Sequence, residues 1–267
     1  MKKTATQKTR WAPWPQLFAV AVAVCLLGLG VLPAGHKQLP HTIESSTLAG
    51  NSSLRPAQSV QAVLPVSHVD CARIPCLNLS FDDGPNPITT PQILTILEHN
   101  HVHANFFVVG LRAAAMPSIL QREYQGGDEI GNHSWSHPDL TTLTPAQVQS
   151  QVSQTQTAVV AAGVPAPRLF RPPYGAINAM VKSQIHLTLA MWSVDPEDWN
   201  TNDPAQLTQK VINEAKSGGV IDMHDIDNST VIALPAILQN LKSRFQLVTM
   251  SQLFNLAPGE QGEFFGR

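Results

Sequence analysis

Short β-like runs alternate with stretches of helical spacing from Leu77 to Thr249, and this alternation limits the fold more than any other feature. Residues 77–81, 103–109, 129–133, 169–171, 187–194, 220–224 and 245–249 read as strands. Between them, Ile93, Leu94, Ile96 and Leu97 recur at helical spacing within residues 91–99. Further helices are expected over residues 117–125, 145–162 and 234–241, and from Pro204 with Leu207, Val211 and Ala215 on one face. Thr144-Pro145 is an N-cap and N1 pair, and Gly163 closes the helix they open. Alternating strands and helices pack as a parallel sheet with helices outside. About seven such units predict an α/β fold, a distorted parallel (β/α) barrel rather than an open sheet. No internal repeat is present.

A parallel barrel carries its chemistry at the C-terminal ends of its strands. Polar residues fall at those places: Asp82 and Asp83, His133, Arg171, Asp195 and Asp198, and His224. Polar groups ending five separate strands are hard to read as surface decoration.

The chain before Leu77 is built differently. Lys2, Lys3, Lys8 and Arg10 form a basic head, and residues 11–35 carry no charge. Residues 14–34 would span about 31 Å as a helix, close to the thickness of a bilayer core. Residues 1–35 therefore read as a basic head plus membrane anchor, or as a signal peptide. The large Leu32 ahead of Ala34 makes a poor cleavage site and favours the anchor. Either way the rest of the chain is expected outside the cytoplasmic membrane, tethered or secreted. Residues 36–69, rich in Ser, Pro, Gln, Ala and Asn, read as a flexible linker. The folded domain is expected over residues 70–257, followed by a tail over 258–267. With 17 basic and 19 acidic residues there is no basic excess to hold nucleic acid. Of the three cysteines, Cys71 and Cys76 are close enough to close a small loop in an oxidising compartment.

The chemistry starts from His133 and His137 in His-Ser-Trp-Ser-His. Four-residue spacing puts both imidazoles on one side of a helical turn, or together in a tight turn, and suits two ligands of one metal. A third ligand must come from elsewhere, and Asp82-Asp83 supplies two candidates. Adjacent strand residues point to opposite faces, so sharing a site needs the turn that Gly84-Pro85 provides. One carboxylate can then bind the metal while its neighbour serves as a base. Two histidines and one carboxylate leave positions open on a divalent ion, which lowers the pKa of bound water.

The segments Ser80-Phe81-Asp82-Asp83-Gly84-Pro85, His133-Ser134-Trp135-Ser136-His137, Arg171-Pro172-Pro173-Tyr174, Asp195-Pro196-Glu197-Asp198-Trp199 and Met223-His224-Asp225 resemble, in order and spacing, the five motifs of the polysaccharide deacetylase family, carbohydrate esterase family four. The resemblance covers residues 77–254. It implies Asp82 as general base, with Asp83, His133 and His137 as metal ligands. It implies Arg171 as the residue holding Asp82 ionised and oriented, and His224 as the general acid. Asp198 or Asp195 would orient His224. The backbone N–H of Tyr174 would stabilise the oxyanion, while Trp199 and Pro172 would belong to the substrate pocket. Zinc is the default metal, with cobalt or nickel compatible. The implied substrate is an acetylated polysaccharide, cell-wall N-acetylglucosamine first and O-acetylated xylan second. A non-catalytic glycan-binding role is disfavoured because every catalytic side chain is present. Two positions depart from the pattern: Ser80 replaces a threonine, and Asp222 replaces the apolar residue that lines the acetyl pocket. Either Asp222 reshapes the pocket or Ile221 does the lining. His99, His101, His103 and His186 have no acidic partner at matching spacing and read as solvated or packing residues.

Overall fold

The computed structural model describes residues 69–257, 260 and 262–266. The basic head, the apolar run and the linker up to residue 68 lie outside the described residues. Among the described residues no helix is long and apolar enough to cross a membrane.

Among the described residues eight strands form one parallel sheet: β1 (Cys76–Asp82), β2 (Asn105–Val108), β3 (Glu129–Asn132), β4 (Leu169–Phe170), β5 (Thr188–Ala190), β6 (Val220–His224), β7 (Gln246–Leu247) and β8 (Glu263–Phe264). The order across the sheet is β6-β1-β2-β3-β4-β5-β8, and β7 pairs with the start of β1. The sheet curls until the chain just past β5 reaches β6. There Ser193 and Val194 N–H donate to the Val220 carbonyl, and Asp222 N–H donates to that of Val194. The result is the distorted (β/α) barrel. The segment read as a tail contributes β8, which pairs in parallel with β5.

Among the described residues eight helices accompany the strands: α1 (Thr89–Asn100), α2 (Gly110–Ala115), α3 (Pro117–Gln125), α4 (Pro145–Ala161), α5 (Ala179–Gln184), α6 (Pro204–Glu214), α7 (Asn228–Leu241) and α8 (Met250–Leu253). Thr144 caps α4 through a reciprocal capping box with Gln147, with Pro145 in the first turn. Asp203 caps α6, accepting from the N–H groups of Ala205 and Gln206. Helices α2, α5 and α8 are too short to show a period in sequence. Helix α7 starts six residues before the expected Leu234 and runs through Pro235. Its buried face of Thr230, Ala233, Leu234, Ile237, Leu238 and Leu241 outweighs the backbone hydrogen bond that proline cannot make.

The two faces of β1 explain the barrel. Leu77, Leu79 and Phe81 join the core beneath the helices, with Leu94, Leu97, Val211, Leu234 and Leu238. The alternate residues Asn78, Ser80 and Asp82 are buried on the other side and are polar. Asn78 donates to Asn105 Oδ1 and the Val248 carbonyl at 2.8 Å each. Ser80 Oγ donates to the Ile221 carbonyl at 2.7 Å. The barrel interior is thus a column of buried polar groups, hydrogen-bonded except at Asn78 Oδ1, leading up to Asp82 at the strand end. A disulfide joins Cys71 to Cys76 where the chain enters β1.

Candidate active site

Register brings the site together. Asp82 and His224 are Cα partners across β1 and β6, at the C-terminal ends of both. Asn132 pairs with Phe170, so His133 and Arg171 leave β3 and β4 side by side. Asp83, Ser134, His137, Tyr174 and Glu197 all adopt positive φ, between 56° and 74°. Each costs about 1–2 kcal/mol for an L-residue and persists only because the surrounding structure holds it. Asp83, at φ 74°, is the turn that lets two adjacent carboxylates face one site. Gly84 follows because a Cβ there would lie 2.1 Å from Asp225 Oδ2.

His133 and His137 meet in a loop, not on a helix, with ring centroids 4.9 Å apart. Gln151 of α4 holds the loop, its Oε1 accepting from Trp135 and Ser136 N–H at 2.8 and 2.9 Å. Ser134 Oγ accepts from His137 N–H at 3.0 Å. Asp83 Oδ1 lies 3.1 Å from His137 Nε2 and 3.6 Å from His133 Nε2. One ligand atom from each of Asp83, His133 and His137 falls within 4.8 Å of the other two.

This set fits a divalent cation. His133 Nδ1 is 2.8 Å from the Arg171 carbonyl, to which it donates, so its Nε2 lone pair faces the carboxylates. Burial, and then the neighbouring His137, hold His133 neutral by lowering its pKa to about 3. Burial works to raise Asp83, but His137 and His133 outweigh it and leave the carboxyl below its ordinary range. Its Oδ1 is buried without a hydrogen-bond donor. The His133 Nε2 lone pair and the Asp83 carboxylate repel unless a cation sits between them.

Asp82 is held on the other side. Its Oδ1 accepts from Arg171 Nη1 at 2.7 Å. Arg171 is fully buried and also donates to Ser80 Oγ, Asp222 Oδ1 and the Ala190 carbonyl at 2.9, 2.6 and 2.9 Å. Its guanidinium stacks 4.0 Å above the Phe107 ring. Burial raises Asp82 well above the carboxylate range; Arg171 opposes this and Asp222 adds to it.

Asp198, in a short 3-10 turn, sits on His224. Its Oδ1 lies 2.8 Å from His224 Nδ1, while Oδ2 accepts from His224 N–H and Thr230 Oγ at 2.7 and 2.6 Å. Asp195 turns back on its own loop and accepts from Glu197 N–H. The choice left open between them falls to Asp198. Burial works to lower His224, but the Asp198 hydrogen bond and the charges of Asp198, Asp222 and Asp83 raise it well above its ordinary value.

The pocket residues divide. Tyr174 is exposed, with its ring edge-on to His137 at 4.6 Å. Among the described residues no acceptor takes its backbone N–H, while Gly175 and Ala176 donate to Pro172 and Pro173. Pro172 is buried at the start of this turn, and Trp199 is exposed. Ile221 does not line the pocket. Its side chain is fully buried in the core beneath the helices, because β6 alternates and turns Val220, Asp222 and His224 inward instead. Asp222 occupies the inward position and spends its carboxylate on Arg171. His99, His101, His103 and His186 are exposed and away from this constellation.

Sequence reasoning missed several supports. Arg112 of α2 donates to the Asp83 carbonyl at 2.8 Å. Asp225, within the last motif but given no role, is fully buried, accepts from Thr90 Oγ and packs on Gly84. Burial pushes its pKa up to about 7. Only its place beside His224 could have pointed to Asp225; nothing in the sequence pointed to Arg112, Gln151 or Thr230.

A sequence model described as polysaccharide deacetylase matches residues 70–190. A solved structure of the peptidoglycan deacetylase PdaC from Bacillus subtilis is 42% identical, with a TM-score of 0.68, and the match covers 70% of this chain and 93% of that one. The chain belongs to the polysaccharide deacetylase family. The curated peptidoglycan-N-acetylmuramic acid deacetylase PdaC of Bacillus subtilis (strain 168) is 44% identical over 176 residues, 66% of this chain and 38% of that protein. A peptidoglycan-N-acetylglucosamine deacetylase, PgdA of Listeria monocytogenes, is 40% identical over 177 residues, with the same shares of 66% and 38%. The chain thus matches well under half the length of either curated polysaccharide deacetylase. The family is metal-dependent, in keeping with the Asp83, His133 and His137 set.

In this member of the polysaccharide deacetylase family the His224–Asp198 pair makes a signed prediction. A general acid must be protonated, so activity should fall as pH rises through the His224 pKa. Asp198→Asn removes the largest raising influence and leaves burial in place. The alkaline limb of the kcat–pH profile should move to lower pH. An unmoved limb would remove His224 as the group that titrates there.

Proposed function

We propose that this chain hydrolyses N-acetyl groups of cell-wall glycan, outside the cytoplasmic membrane. One observation carries the reading: Asp83, His133 and His137 converge between a carboxylate held by Arg171 and an imidazole held by Asp198. An amide needs both a base to activate water and an acid to protonate the amine that leaves. The two arms of this site supply them.

Asp83, His133 and His137 would hold the metal, and zinc suits two imidazoles and a carboxylate, with cobalt or nickel also accommodated. When bound, the ion polarises the acetyl carbonyl and lowers the pKa of water. Asp82, oriented by Arg171, takes the proton from the attacking water. The Tyr174 N–H donates to the oxygen that gains charge. His224 then protonates the sugar nitrogen as the carbon–nitrogen bond breaks, and Asp198 stabilises the imidazolium. Trp199 and Pro172 border the sugar. The basic head and apolar run of residues 1–35 would anchor the chain in the membrane or export it, bringing the site to the wall.

The test is acetate release by the full chain from N-acetylglucosamine oligomers, peptidoglycan and acetylxylan, before and after chelation. Release from the amino-sugar polymers that chelator abolishes and zinc restores is expected. Turnover indifferent to chelation would end the metal reading, and release from acetylxylan alone would move the substrate to O-acetyl esters. Peptidoglycan deacetylated only at muramic acid would assign the sugar differently from the N-acetylglucosamine expected here.

A further inference from the structure

A second set of ligand atoms lies on the His224 side of the pocket. Asp198, His224 and Asp227 each bring one such atom within 4.8 Å of the other two. Asp227 is the N-cap residue of α7, where an aspartate ordinarily accepts from the helix's own first-turn N–H groups. Its side chain makes no such bond, and Thr230, in that first turn, spends its hydroxyl on Asp198. Among the described residues no donor is recorded on the Asp227 carboxylate. Two carboxylates and one imidazole face each other with a single ring nitrogen, His224 Nδ1, bonded between them. That donor set suits a borderline-soft divalent ion.

We propose that a second divalent cation binds Asp198, His224 and Asp227 and inhibits the enzyme by occupying the imidazole that serves as the acid. The proposal rests on the catalytic reading of His224 given above. A metal on His224 Nδ1 displaces to solvent the proton that this nitrogen shares with Asp198. The metal-bound ring keeps only its Nε2–H, which it could give up only by becoming an imidazolate, so it no longer serves as an acid near neutral pH. The sugar amine then lacks its acid and the acetyl group stays on. This second site is weaker than the one at Asp83. Both Asp198 oxygens already accept hydrogen bonds, from the ring, His224 N–H and Thr230, and at least one must yield to the cation. At Asp83 the Oδ1 has no donor to displace. Metal dependence is therefore biphasic: activation by the first equivalent and inhibition by excess.

Zinc is titrated into the metal-stripped full chain while acetate release and bound zinc are both measured. Activity should rise with the first equivalent and fall at least tenfold as the second binds. Asp227→Asn keeps a good helix cap and should leave the rise intact while moving the fall to at least tenfold higher zinc. Asp227→Ser, also a capping residue, should do the same if the asparagine variant folds poorly. A fall at the same zinc concentration in wild type and both variants overturns the proposal, as does no fall at millimolar zinc. Binding alone separates this from the catalytic reading. In the Asp83→Asn chain one zinc equivalent should remain, and adding Asp227→Asn should remove it. Retention of the activating equivalent in Asp83→Asn would instead strike at the proposed function and leave the Asp227 site standing.

Discussion

Replacing Asp82 with Asn should lower acetate release by about 10²–10⁴-fold, the usual contribution of a positioned general base, while the chain keeps its metal. The carboxamide is the same size and still accepts from Arg171 Nη1, now 2.7 Å from Asp82 Oδ1. What it loses is the ability to take a proton. Asp83→Asn should behave differently, because Asp83 Oδ1 faces both His137 and His133 Nε2. An amide oxygen is a poorer ligand for a divalent ion than a carboxylate, so this variant should lose the activating metal equivalent and its activity together. The measurement is kcat beside metal content for each variant. An Asp82→Asn chain with more than a tenth of wild-type turnover, or one stripped of metal, would overturn the division of labour between the two neighbours.

Arg171→Met should destabilise the fold by about 3–5 kcal/mol, the usual cost of removing one member of a buried ion pair. Arg171 is a large, fully buried side chain, and its loss leaves Asp82 and Asp222 without their shared cation in the barrel interior. Methionine retains much of the volume, so the effect reports charge more than cavity. Adding Asp222→Leu to that variant should recover part of the loss, because the second stranded carboxylate is gone. These residues touch, so the effects should not add. Denaturant unfolding of the two single variants and the double reads the coupling. Strict additivity would mean that Asp222 does not depend on Arg171 for its burial.

The barrel was legible because strand and helix periods are written locally. Thr144-Pro145 and Asp203-Pro204 marked the helix starts, and the β1 and β6 runs lie where the apolar segments put them. Helices α2 and α5 span six residues each, too few for a period to show, and α7 runs through a proline that reads as a boundary. In the site, the family motifs brought to notice the residues proposed for catalysis and metal binding. They could not say which way a side chain turns. Ile221 faces the core and Asp222 the Arg171 guanidinium because a strand alternates, and the register of β6 on β1 decides the phase.

The sequence by itself determined the α/β class and the order of the elements and brought forward the candidate site residues, since periodicity and motif spacing are local properties. Only the tertiary structure decided that Asp198 and not Asp195 holds His224, that Arg171 serves two carboxylates, and that five L-residues stand at positive φ around the site. Those outcomes depend on contacts between residues tens of positions apart along the chain. Such contacts form only when β1, β3, β4 and β6 come into register, and no local pattern encodes the distances they set.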